Sequence, residues 1–122
     1  MKQKICIVGD GLTGLTAAFV LSKLNIKIHF VAPNFEKKLK DKRTTALSRS
    51  NYEFLLKFLG DQNAKLFWPS KKIDLYHETQ DVNKNFMSLE DEGKNLMYVI
   101  ENNKLKYLFK KEFKKNKNIK IF

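Results

Sequence analysis

Gly9, Gly11 and Gly14 stand in the order G-x-G-x-x-G between a short apolar run, Ile5-Cys6-Ile7-Val8, and a longer segment of helix-forming composition. That order suits a turn that receives two linked phosphates. Gly9 permits a tight exit from a strand, Gly11 lets the backbone approach a pyrophosphate, and Gly14 lets the helix pack against the strand. The helix that follows aims free N–H groups and the positive dipole end at the phosphates. The plain alternative is a tight strand–helix turn that binds nothing. The position directly after a buried strand favours the dinucleotide site.

Little else in the chain carries chemistry. The single cysteine excludes an internal disulfide and fits a reducing compartment. Cys6 lies inside the first apolar run, where core packing is the expectation. His77 has no Cys or carboxylate at ligand spacing, so no metal site is expected. His29 falls on an outward position of a strand, and Trp68 is read as packing beside a hairpin. No catalytic residue is assigned.

At 122 residues, 43% hydrophobic and 30% charged, the chain is about one small globular domain. No apolar run reaches the ~18–20 residues of a membrane span, and the first apolar stretch lacks the layout of a signal peptide. A cytoplasmic protein is the default. The net charge of +11 invites nucleic acid, but it is almost all Lys, with only Arg43 and Arg49 able to fork onto bases or phosphates. Nucleic-acid binding is therefore set aside. Attraction to an anionic membrane surface carries more weight, since each nearby Lys adds about 1 kcal/mol.

The glycine turn needs a βαβ unit around it. Lys4–Val8 reads as the first strand, Gly14–Leu24 as an apolar helix ended by Asn25, and Ile26–Val31 as the second strand. At the end of that strand, where an acidic residue usually meets the adenosine ribose, stands Ala32; Glu36 is one turn too late. Pro33–Lys42 is a polar loop anchored by Phe35 and Leu39. Ser50 and Glu53 form a capping box ahead of Leu55, Leu56, Phe58 and Leu59, and Gly60 stops that helix. Lys71–Thr79 and Asn85–Glu90 read as a hairpin turning at Asp81–Lys84, with Ile73 and Leu75 inward opposite Met87 and Leu89. After Gly93 and an extended run at Leu96–Ile100, Asn102 or Asn103 caps a helix to about Lys115. Its apolar positions are Leu105, Leu108, Phe109 and Phe113. Asn118–Phe122 is a last strand.

The expected fold is α/β: a Rossmann-like FAD/NAD(P)-binding domain, with a parallel sheet and crossover helices, plus a hairpin that starts a substrate-domain sheet. The expected segments are 1–70 for the binding βαβ and loop–helix, 71–95 for the hairpin, and 96–122 for the return helix and strand.

With the N-terminal Gly9-Asp10-Gly11-Leu12-Thr13-Gly14, the stretch Asp41-Lys42-Arg43-Thr44-Thr45-Ala46-Leu47 resembles the FAD-dependent aromatic hydroxylases of ubiquinone biosynthesis. These are group A flavoprotein monooxygenases related to para-hydroxybenzoate hydroxylase. The resemblance implies that Gly9, Gly11, Leu12, Thr13 and Gly14 hold the FAD pyrophosphate. It implies that Arg43 lies against the flavin side near the phosphates, the alternative being an ion pair with Asp41. Asn102 would approach the ribityl chain. Ala32 departs from the family's acidic ribose ligand, and Asn103 stands where many relatives carry a basic residue.

Residues 1–122 do not contain the family's second FAD-contacting segment with its Gly-Asp motif. The expectation is therefore the N-terminal part of an aromatic-ring monooxygenase, oxidising a prenylated phenol or quinone precursor with NAD(P)H as a reductant in the complete enzyme. Alone, the chain would bind FAD poorly and hydroxylate nothing. A partner chain or oligomer would cover the truncated surface, and a prenylated substrate implies peripheral association with the inner membrane face. The rivals are another FAD/NAD(P)-dependent oxidoreductase, such as an amine oxidase, and a non-catalytic nucleotide-binding fragment or interaction module.

Overall fold

A computed structural model describes residues 3–37, 41–79 and 82–122. Leu39 of the anchoring loop and Asp81 of the hairpin turn lie outside the described residues. The elements run β1 (Lys4–Val8), α1 (Leu12–Ser22), β2 (Lys27–Val31), β3 (Thr44–Ser48), α2 (Arg49–Leu59), then a 3-10 turn (Asp61–Leu66). They continue with β4 (Trp68–Ser70), β5 (Lys72–Glu78), β6 (Asn83–Glu90), β7 (Met97–Glu101), α3 (Asn102–Lys115) and β8 (Ile119–Ile121). They fall into two compact units, one of Met1–Arg43 with Glu101–Phe122, the other Thr44–Ile100.

The first unit is built on a parallel sheet in the order β1–β2–β8. Its register pairs Ile5 with Ile28 and Ile7 with Phe30, and Phe30 in turn with Ile121. The pleat sends Ile28 and Phe30 to the face covered by α1 and α3, where both are fully buried. Leu15, Ala18 and Phe19 of α1 meet Leu105, Phe109 and Phe113 of α3 in that core. Phe19 and Phe109 pack edge to face at 5.9 Å, Phe30 meets Phe113 at 5.2 Å, and Phe35 stacks on Phe113 at 5.8 Å. Each such pair contributes about 0.5–1.5 kcal/mol beyond the area it buries. The i, i+3, i+4, i+8 pattern of α3 thus faces the core as its spacing predicts.

Polar bonds fasten the carboxyl ends of the two helices. The Asn116 amide donates to Ser22 Oγ at 2.6 Å, and the Asn118 amide donates to the Ser22 carbonyl at 3.0 Å. With the mid-helix Phe19–Phe109 contact, this makes α1 and α3 run side by side in the same direction. Their amino ends therefore share the edge of the sheet where β1 and β2 finish.

Cys6 is not a core residue. It is exposed, because β1 alternates and turns Ile5 and Ile7 toward the helices. The opposite face of the sheet, which carries Cys6, Val8, His29 and Phe122, has no second layer among the described residues. Val8 is 77% exposed, and His29 rests against Phe122 with ring centroids 5.1 Å apart.

In the second unit, β7 lies between β3 and β4. Trp68 lies in β4, just ahead of the hairpin, paired with Val99 of β7 and 48% exposed. The start of α2 also differs from the capping-box expectation. The helix begins at Arg49, Ser48 Oγ accepts from the Asn51 amide at 3.3 Å, and Glu53 is ion-paired with Arg49 at 3.0 Å. Ser48 wins the cap because its hydroxyl reaches the third amide of the helix, the orphan donor that a cap satisfies. Gly60 ends α2 at φ 95°. The hairpin pairs Ile73 with Leu89 and Leu75 with Met87 as expected, with an irregularity at Leu75/Tyr76 that sets Phe86 out of register. Its apolar face is half open: Leu75, Met87 and Leu89 are each about two-fifths exposed.

Candidate nucleotide site

The glycine turn sits at the carboxyl edge of the parallel sheet. Gly9 leaves β1 at φ 102°, a left-handed value that favours glycine, and its amide donates to the Val31 carbonyl at 2.9 Å. The three glycines then differ in what a side chain would meet. A Cβ on Gly14 would lie 2.4 Å from the Gly9 carbonyl oxygen, so only glycine lets α1 close onto the strand. A Cβ on Gly11 would meet nothing within 4 Å. Packing within the protein therefore explains Gly14 and leaves the side of Gly11 open to a ligand.

Gly11 also caps α1 with no side-chain hydrogen bond, and the first helical bond runs from the Leu15 amide to the Gly11 carbonyl at 3.0 Å. The amides of Leu12, Thr13 and Gly14 precede that bond and have no helical acceptor. Bare amides at a helix start, with no acidic side chain in the first turn, form an anion receptor.

Arg43 belongs to the same unit. Its Nε donates to Asp41 Oδ1 and its Nη2 to Asp41 Oδ2, both at 2.9 Å, and its backbone amide adds a third bond to Oδ1 at 3.0 Å. The ion pair weighed as an alternative is thus formed. The Arg43 side chain is nonetheless 79% exposed, while that of Asp41 is 8% exposed. The bonds from Arg43 hold the Asp41 carboxyl far below the usual carboxylate range, and the same pairing raises Arg43.

Asn102 is the first residue of α3 rather than its cap; the cap is Glu101, with no side-chain bond to the helix. Asn102 is buried, its side-chain amide donates to Asp41 Oδ2 at 3.4 Å, and its backbone amide donates to the Arg43 carbonyl at 3.0 Å. The Asn103 side chain donates to the Asp41 carbonyl at 2.7 Å. The amino end of α3 therefore fastens the Asp41–Arg43 segment at the edge of the sheet where α1 also begins. Glu36, the late acidic candidate for a ribose, instead faces Lys114 at 3.7 Å, and Ala32 is buried with its amide on the Phe122 carbonyl.

Sequence reasoning missed the part played by Asn102 and Asn103 in holding Asp41. The Asp-x-Arg spacing does signal a local side-chain turn, but nothing in the sequence marks partners some sixty residues away. It also missed the face-to-face stack of Tyr52 on Tyr98 in the second unit, 3.6 Å between centroids. No cluster of three or more metal-ligating side chains occurs among the described residues, and no helix among them is long and apolar enough to cross a membrane.

No protein-family model matches the sequence, and no curated protein is significantly similar to it. Solved structures are. The p-nitrophenol 4-monooxygenase PnpA from Pseudomonas putida DLL-E4 aligns with 98% of this chain at 16% identity and a TM-score of 0.71. A variant of PqsL from P. aeruginosa aligns with 99% at 12% identity and a TM-score of 0.76. CtdE, solved with FAD and a substrate, aligns with 98% at 16% identity and a TM-score of 0.71. The chain has the fold of FAD-dependent aromatic monooxygenases. At these identities the likeness is one of fold, and the chain spans about a third of the length of each of the three structures (30–33%).

The residues present fit the diphosphate of FAD. The open side of Gly11, the acceptor-free amides at the start of α1 and the exposed guanidinium of Arg43 are what a dianionic linkage needs.

Proposed function

We propose that this chain carries the nucleotide-gripping part of an FAD-dependent aromatic-ring monooxygenase, with the rest of the flavin pocket supplied by residues outside 1–122. The observation that carries this reading is the contrast between Gly14, closed against Gly9, and Gly11, open to solvent. A turn serving only the fold would need glycine at 9 and 14 and have no use for it at 11.

Gly11, Leu12, Thr13 and Gly14 hold the pyrophosphate through backbone amides, Gly9 makes the turn that aims them with its own amide tied to Val31, and Arg43 adds a fixed positive charge. Asn102 acts one step removed, through Asp41 and the Arg43 carbonyl. When bound, FAD supplies the redox chemistry with O₂ and a nicotinamide reductant; the protein binds, orients and excludes water. The DKRTTAL stretch, Asp41–Leu47, favours a ring hydroxylase of ubiquinone biosynthesis, with a prenylated phenol or quinone precursor as substrate. A substrate of that kind sits in a bilayer, which the net charge of +11 would help the chain approach.

Titration of the purified chain with FAD, followed by flavin fluorescence, tests the reading. Saturable binding weaker than micromolar, competed by ADP, is expected, with no NAD(P)H-dependent oxygen insertion. Absence of saturable binding up to millimolar FAD would sink the nucleotide reading. Micromolar binding with oxygen insertion would sink the claim that the pocket is incomplete. Gly11→Ala separates the site from a turn that binds nothing: affinity should fall about tenfold, because the added methyl stands where the diphosphate must approach the backbone, with the thermal midpoint unchanged. Equal affinity in wild type and variant would favour the plain turn.

A further inference from the structure

Resting on the FAD reading above, we propose that Asp41 is a positioning residue, which locks Arg43 into the one orientation that presents its outer edge to the cofactor's diphosphate. A guanidinium has five N–H donors; two are taken by Asp41 at 2.9 Å each, which leaves three facing outward on a side chain 79% exposed. The carboxylate doing the holding is itself 8% exposed and cannot swing away. Asn102 donates to it, Asn103 donates to its backbone carbonyl, and the Asn102 amide fixes the Arg43 carbonyl. Arg43 is thus pinned at both backbone and side chain by the amino end of α3. A free arginine on a surface loses rotamer freedom when it grips an anion; a pinned one has already lost it.

Charge alone makes the opposite claim. A carboxylate beside a phosphate site repels the ligand, so its removal should tighten FAD. Positioning says that its removal weakens FAD. The sign of the change decides between the two.

The experiment compares FAD dissociation constants of the wild-type chain, Asp41→Asn, Arg43→Ala and the double variant. Arg43→Ala should weaken binding about tenfold and Asp41→Asn at least about fivefold, both with reduced salt dependence. The double variant should bind no more weakly than Arg43→Ala alone, since Asp41 acts only through Arg43. Losses that add, or an Asp41→Asn variant that binds as tightly as wild type or tighter, would overturn the proposal while leaving the FAD reading intact. Absence of saturable FAD binding in the wild type would overturn both. If Asp41→Asn does not fold, Asp41→Glu decides. It keeps the charge and shifts the fork by one methylene, so weakened FAD supports positioning and unchanged FAD refutes it.

Discussion

At the scale of single residues, Asp41 gives the clearest pH signature. Bonds from Arg43 hold its folded carboxyl far below the ordinary value of 3.8, so the folded state favours the charged form. The stability this contributes is fully present above about pH 4, where the unfolded chain is also ionised, and is lost as pH falls toward the depressed folded value. Urea unfolding of wild type and Asp41→Asn should therefore differ most near neutrality, with the gap narrowing below pH 4. A gap that widens on acidification would mean the carboxylate is not ionised in the fold. The strand–glycine turn–helix order was legible in the sequence because local geometry dictates it: a turn needs its glycines within a few residues. The Asn102–Asp41 bond joins residues 61 apart, and its partners become neighbours only once α3 has docked. Cys6 failed for a related reason. A strand pattern says that residues alternate between faces, but not whether the second face is covered.

At the scale of elements, helix periodicity carried most of the fold. The four apolar positions of α3 are all buried, and Phe109 is fully so, touching Phe19 of α1. Phe109→Ala should cost about 3–5 kcal/mol, since the rigid helix–sheet layer cannot collapse into the space left; denaturant melting checks this, and a loss under 1 kcal/mol would contradict the packing. The start of α2 was less legible, because Ser48 and Ser50 both offer a capping hydroxyl two residues apart. The Ser48 bond to Asn51 decides it. Ser48→Ala should lose about 1 kcal/mol and Ser50→Ala close to none. The reverse order would restore the later cap and move the helix start with it. Gly14→Ala belongs here too. The methyl would press on the Gly9 carbonyl, so the thermal midpoint should fall, in contrast to Gly11→Ala.

At the scale of the whole chain, charge and uncovered apolar surface decide how the protein behaves in solution. Parallel sheets are normally buried on both faces, yet the face with Val8 and Phe122 is open among the described residues, and the hairpin exposes Leu75, Phe86, Met87 and Leu89. Against this stands a net charge of +11, which keeps like chains apart. The two terms make opposite demands. Self-repulsion is screened by salt, with a Debye length of about 10 Å at 0.1 M and about 3 Å at 1 M, whereas apolar association is not. Oligomerisation driven by the open faces should therefore grow as salt rises. Adsorption to vesicles containing anionic lipid, drawn by exposed lysines such as Lys111, Lys114 and Lys115 of α3, should fall over the same range. Light scattering and vesicle co-sedimentation on one salt series measure both. Vesicle binding that persists at 1 M salt would mean that apolar surface, not lysine charge, holds the chain to the bilayer.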